Sequence, residues 1–200
     1  MPHRFNPARR HNLLAPERRK RLPAARIVRQ LEIAPDHTVL DIGAGVGYFA
    51  RALLRQLGSG GRLIAVDISP VMLEELEKNL PRSPAEVRTL IADAVQIPLP
   101  DRSADRILMA LILHEIAEPK AALREARRLL KPDGRLLIVE WHKIKPPPGP
   151  PEKERLDPGE LFKLARQTGF DIADHDDINR FHYLTLLQPV ARKRRHDIIE

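Results

Sequence analysis

Three carboxylates sit at or near the ends of successive apolar runs: Asp41 in 38–42, Asp67 in 62–68, and Asp93 directly after 87–92. Such a set suits a ligand with cationic groups and neighbouring hydroxyls. One carboxylate can pair with an ammonium, and another can accept two hydroxyls at once. Asp41 leads into Gly43-Ala44-Gly45-Val46-Gly47, where missing side chains let a ligand approach the backbone. Two details speak against a dinucleotide turn. The G-x-G-x-x-G pattern wants a small residue at position 48, where Tyr48 stands, and Asp41 would repel a pyrophosphate. His114, after the run 105–113, is the candidate catalytic residue, as a base or a hydrogen-bond donor to substrate. Its structural alternative is to close the pocket. Glu115 reads as a helix-start or surface acid, and His175 among Asp174, Asp176 and Asp177 as a solvated acidic turn rather than a metal site. Cysteine is absent, which excludes thiol catalysis and thiolate metal centres.

These residues need a scaffold that gathers strand ends. Short β-branched runs at 38–42, 62–68, 87–92, 105–113 and 135–141 alternate with helical spacing at 49–57, after Ser69-Pro70, and at 118–130. Ser69 reads as a helix cap and Pro70 as its first residue. Lys131-Pro132-Asp133-Gly134 reads as a helix stop. Alternation with near-continuous apolar strands implies a parallel sheet covered on both faces. Ligands of such sheets bind at the carboxyl ends of the strands, where the strand order reverses. The five prolines in 143–154 make a stiff surface connection. A helix then runs from Asp157-Pro158 to about Gln167, and 170–174 and 181–187 form an antiparallel pair. The expected fold is α/β: a Rossmann-like, doubly wound seven-stranded sheet with the last strand antiparallel and helices on both faces.

Two hundred residues suffice for one domain with a sizeable core. The longest apolar run, 107–113, is too short to span a membrane, and the first 29 residues are too charged for a signal peptide. A cytoplasmic protein is expected. Residues 1–30 hold nine basic residues against Glu17, a net of +8, so 31–200 sum to −1 within the chain total of +7. This arm could dock nucleic acid or another anionic surface. Yet Leu22, Ala25, Ile27 and Leu31 recur at helical spacing, which a purely electrostatic tail would not need. The chain is therefore divided into an arm, 1–30, and a domain, 31–200. The arm is expected to cover the pocket, with Phe5 and the apolar face packed on the domain and its arginines in solvent.

The pattern D-x-G-x-G-x-G at 41–47 resembles the first motif of the class I S-adenosylmethionine-dependent methyltransferases. Val66-Asp67-Ile68-Ser69, Ala92-Asp93-Ala94, Pro98-Leu99-Pro100-Asp101 through Asp105, and Leu130 to Leu136 match further segments in order, so the likeness covers roughly 36–141. Within that class the chain resembles the small UbiE-like (methyltransferase type 11) group. His3-Arg4-Phe5-Asn6-Pro7, the run Met109 to Glu115 and the proline-rich segment carry that likeness. The resemblance implies S-adenosylmethionine as cofactor, held by Asp41, Gly43, Ala44, Gly45, Gly47, Asp67, Ile68, Met72, Asp93, Ala94, Met109 and Ala110. Asp67 would accept the ribose hydroxyls, Asp93 with the Ala94 amide would face the adenine, and Asp41 the methionine ammonium. It implies methyl transfer by in-line displacement to a small-molecule acceptor. The alternatives are an RNA or protein methyltransferase recruited by the basic arm, and a non-catalytic cofactor-binding domain. Neither the acceptor nor the oligomeric state is named by the sequence.

Overall fold

A computed structural model describes residues 5–145 and 149–190. His3, Arg4 and the prolines at 146–148 lie outside the described residues. The parallel strands are β1 (Thr38–Ile42), β2 (Arg62–Asp67), β3 (Glu86–Ile91), β4 (Ala104–Ala110) and β5 (Leu130–Trp141). β6 (Phe170–Asn179) and β7 (His182–Pro189) complete one sheet of order β3-β2-β1-β4-β5-β7-β6. β7 runs antiparallel to both β5 and β6. This is the expected doubly wound sheet. The order reverses between β1 and β4, which opens a crevice at their carboxyl ends.

Helices cover both faces because the central strands are apolar on both. After α1 (Pro16–Arg21) in the arm, one face carries α2 (Ala24–Arg29), α3 (Ala50–Leu54) and α4 (Pro70–Asn79), packed on Val39, Leu63, Leu108 and Leu137. The other carries α5 (Pro119–Leu129) and α6 (Pro158–Gln167), packed on Leu40, Ile64, Ile107 and Ile138. Alternate residues of each strand serve the two cores. The arm contributes Leu22, Ile27 and Val28 to the first, next to Leu31 at the start of the domain, each at most 2% exposed. At about 1.5–3 kcal/mol per buried side chain, its second half is part of the fold.

Several boundaries differ from expectation, for local reasons. The helix over 49–57 shortens to α3, since the preceding glycine loop runs as turns up to Phe49. β4 stops at Ala110 instead of 113, because Leu111 takes a left-handed φ of 60° while its N–H donates to the Val139 carbonyl. Ser69 makes no side-chain cap on α4; its N–H donates to Asp67 instead. Residues 131–134 bulge inside β5, between the Ala104–Leu130 and Arg106–Arg135 pairs. The acidic stretch around His175 is strand, not turn: β6 continues to Asn179, and His175 Nδ1 lies 2.9 Å from the Thr185 hydroxyl. α6 begins as expected, with Asp157 and Glu160 forming a reciprocal capping box.

Candidate functional site

The crevice is built from loops that follow β1, β2, β3 and β4. Gly43, Gly45 and Gly47 all have positive φ, between 53° and 84°, so the turn after β1 tightens and folds back under Asp67. Gly43 is the most constrained: a Cβ there would sit 2.3 Å from Ile112 Cγ2. Asp67 binds the turn directly. Its Oδ2 accepts the Gly45 N–H at 2.8 Å and its Oδ1 the Ser69 N–H at 2.9 Å. Burial raises the Asp67 pKa, and these two amide donors oppose the rise.

Gly43, Asp67, Ile68, Asp93 and Ala94 line this open cleft together, with Ile112 and Glu115 opposite. Ala44, Gly45 and Gly47 shape the turn behind it. Met72, Met109 and Ala110 are buried at 4%, 1% and 7% exposure and contribute to core packing, not to the cleft lining. Asp41 is also buried, at 2%. Its Oδ2 has no hydrogen-bond partner, and burial next to Asp67 pushes its pKa up to about 7. A buried carboxylate with an unused oxygen is costly unless a donor or cation arrives.

Next to the crevice, a short turn (Leu113–Glu115) places His114 against the end of β5, where it lines a neighbouring cavity with Ile116, Pro119, Lys153, Glu154 and Leu156 instead of the cleft itself. His114 Nδ1 lies 2.8 and 3.1 Å from the two oxygens of Glu140, which is fully buried. Glu140 also accepts the N–H groups of Leu113, His114 and Trp141. Burial alone would lower the His114 pKa, but the Glu140 charge and hydrogen bond outweigh it and hold the imidazole above its ordinary value. His114 Nε2 points to the other side, 3.7 Å from Glu115 Oε1. Glu115 is not a surface acid: it lines the cleft, and burial raises its pKa against the pull of the Phe5 N–H, which donates to its Oε2 at 2.9 Å.

The arm crosses above these groups. Phe5 is tied to Glu115, Leu13 approaches Gly45, and Arg10 lies 3.8 Å from Glu75 on α4. Tyr48 donates its hydroxyl to the Leu22 carbonyl, and Asn179 donates to the Arg21 carbonyl. Arg18 departs from the expectation that the arm's arginines face solvent. It stacks 5.2 Å from the Tyr48 ring, its Nε is buried without a partner, and burial lowers its pKa to about 10. Sequence reading missed Glu140 and Arg18. An acid inside the apolar run 136–141 was the available signal for Glu140; nothing local distinguished Arg18 from its neighbours.

Comparison with known proteins agrees with this architecture. A family model for a methyltransferase domain matches residues 40–138. The ubiquinone/menaquinone biosynthesis C-methyltransferase UbiE of Paraburkholderia phymatum is 36% identical over 120 residues, which are 60% of this chain and 49% of the relative. The chain thus spans about half the length of the curated relatives it matches. The crystal structure of a SAM-dependent methyltransferase from Aquifex aeolicus superposes with a TM-score of 0.84 at 26% identity, covering 94% of this chain and all of that one. The [4+2]-cyclase SpnF shares the fold at a TM-score of 0.73 and 19% identity, over 86% of this chain and 81% of its own. Fold alone therefore does not decide the chemistry. Sequence and structural relatives converge nonetheless, and the chain belongs to the class I S-adenosylmethionine-dependent methyltransferases, in the UbiE-like group.

Proposed function

We propose that this protein transfers the methyl group of S-adenosylmethionine to a small-molecule acceptor enclosed between the crevice and the arm. The observation that carries the reading is Asp41. Its buried, unpartnered Oδ2 beside the glycine turn asks for a cation. S-adenosylmethionine carries an ammonium and a sulfonium there, whereas a dinucleotide would bring phosphates. Asp67, with both oxygens already oriented by amides, keeps lone pairs for the ribose hydroxyls. Asp93 and Ala94 line the cleft where an adenine would lie.

The cofactor supplies a methyl group on a positively charged sulfur. The protein's task is to align an acceptor with that carbon and exclude water. The contacts of residues 5–30, from Phe5 on Glu115 to Leu22 on Tyr48, support a part for the arm in the second task. Their apolar packing and backbone hydrogen bonds favour a lid over a nucleic-acid tether. The names of the UbiE relatives suggest a finer reading: methylation at a carbon of a quinol-like ring.

Calorimetry with S-adenosylhomocysteine and NAD tests the cofactor assignment. The first is expected to bind and the second not. Asp67→Ala should weaken binding by about 1.5–3 kcal/mol, the scale of hydrogen bonds to a charged group. It should also lower the melting temperature, because two loop N–H groups lose their acceptor. Tighter binding of NAD, or an Asp67→Ala protein that binds like the parent, would sink the assignment.

A further inference from the structure

The methyl-transfer reading leaves unexplained why a fully buried glutamate ends β5. Glu140 lies in an apolar strand and receives three backbone N–H groups and one imidazole nitrogen. An amide or a backbone carbonyl could organise the turn without the cost of burying a charge. Either a carbonyl or a carboxylate can fix the proton of His114 on Nδ1; what only the carboxylate adds is a charge that stabilises a second proton on Nε2. The turn is also held at some conformational cost: Leu111 sits at a left-handed φ of 60°, and Ile112 is wedged onto Gly43.

We propose that Glu140 is a positioning residue for His114, holding the imidazole so that Nε2 takes the proton that the acceptor loses on methylation. This rests on the methyl-transfer reading above. Nε2 is the nitrogen turned away from Glu140 and towards Glu115, which lines the cofactor cleft. The charged groups around the ring are Glu140 from β5, Glu115 from the same turn, Arg155, and Lys153 and Glu154 across the small cavity that His114 lines, with Asp67 across the cleft from Glu115. The acceptor class follows from this arrangement. A thiol ionises readily and needs no base, whereas a phenolic or enolic hydroxyl does.

The step balances as follows. The hydroxyl proton passes to His114 Nε2, and the released electron pair, on oxygen or on a conjugated ring carbon, forms the bond to the methyl carbon. The carbon–sulfur bond breaks with its electrons going to sulfur, which becomes a neutral thioether. After attack through carbon, that carbon loses its hydrogen as a proton, the oxygen regains one, and the ring is restored. His114 returns its proton to solvent.

The test uses the full chain with methyl-labelled S-adenosylmethionine and two probes, 1,4-dihydroxynaphthalene and 4-nitrobenzenethiol. Transfer to the diol should rise with pH through the His114 titration. His114→Gln should remove that limb and slow transfer about 100-fold or more, the usual weight of a general base. Glu140→Gln should shift the midpoint to lower pH and lower the plateau about tenfold, with KM little changed. Transfer to the thiol should change less than threefold in either variant. Nitrogen-15 NMR of the wild-type protein supplies a readout that needs no turnover: neutral His114 should carry its proton on Nδ1, and Glu140→Gln should mix the tautomers. A wild-type protein with the proton on Nε2, a Glu140→Gln pH profile parallel to the parent's, or no transfer to the diol overturns the proposal. S-adenosylhomocysteine binding separates the two levels. If the wild-type protein binds it, those failures concern the dyad alone; if it does not, the methyl-transfer reading falls as well.

Discussion

The cofactor side of the crevice is made by β1, β2 and the loops that directly follow them, whereas the His114 side joins segments far apart in the chain. On the first side Asp41, the glycine turn and Asp67 lie within 27 residues, and Asp67 reaches back only 22 positions to Gly45. On the second, Phe5 meets Glu115 across 110 positions and Asn179 meets Arg21 across 158. The first side can form as soon as two neighbouring parallel strands pair. The second needs the whole sheet and the docked arm. A glycine turn at positive φ and an unpaired carboxylate mark the first; a buried imidazole–carboxylate pair and a stacked arginine mark the second. A ligand common to a family can be held by a local motif, while a particular acceptor is selected where distant segments meet.

Disturbing the local side should have the larger consequences. Gly43→Ala combines a left-handed φ of 75° with a Cβ 2.3 Å from Ile112 Cγ2, close to the branched base of a stiff side chain. Strain and overpacking together should cost about 2–5 kcal/mol of stability, and cofactor affinity should fall about tenfold or more. Thermal melting and calorimetry check both, and a variant that melts and binds like the parent would show that the turn is not tightly specified.

The Asp41 carboxyl sharpens the comparison through pH. Burial raises its folded pKa from 3.8 to about 7, so the acid form is favoured in the unliganded fold. Stability associated with this group is full below about pH 4 and is lost as pH rises through about 7; above that, the burial penalty is constant. Affinity for a cationic ligand runs the other way, because the ionised carboxylate pairs with the ammonium. Binding of S-adenosylhomocysteine should strengthen roughly tenfold between pH 6 and pH 8, and Asp41→Asn should flatten both trends. Equal affinity at the two pH values in the parent protein would place the ammonium elsewhere.

The smallest effect is expected where the arm meets the glycine turn. Tyr48→Phe removes only the hydroxyl that donates to the Leu22 carbonyl. It should cost about 1 kcal/mol of stability, the net worth of one hydrogen bond, and increase proteolysis within residues 5–21. Burial of Leu22 and Ile27 should keep the second half of the arm in place. Equal protease sensitivity before and after the change would show that the arm is held by packing alone.

Strand–helix alternation, the glycine turn and the acids at strand ends depend on short-range steric and polarity rules, and these were legible in the sequence with boundaries good to a few residues. The same rules placed Asp67 and Asp93 at strand ends, and both line the cleft there. The end of β4 was not legible: seven apolar residues in a row carry no mark where the chain turns, and only the left-handed Leu111, bonded to Val139, with Ile112 against Gly43, decides it. His175 looked solvated among three aspartates until pairing with β7 set it beside Thr185, Phe162 and Tyr183. The partner of His114 and the burial of Arg18 belong to the same class. The sequence by itself determined the fold and the cofactor cleft, because their signals lie within one strand–turn unit. Only tertiary structure decided which groups surround His114 and the arm, because those groups become neighbours only after the sheet is ordered and the arm has docked.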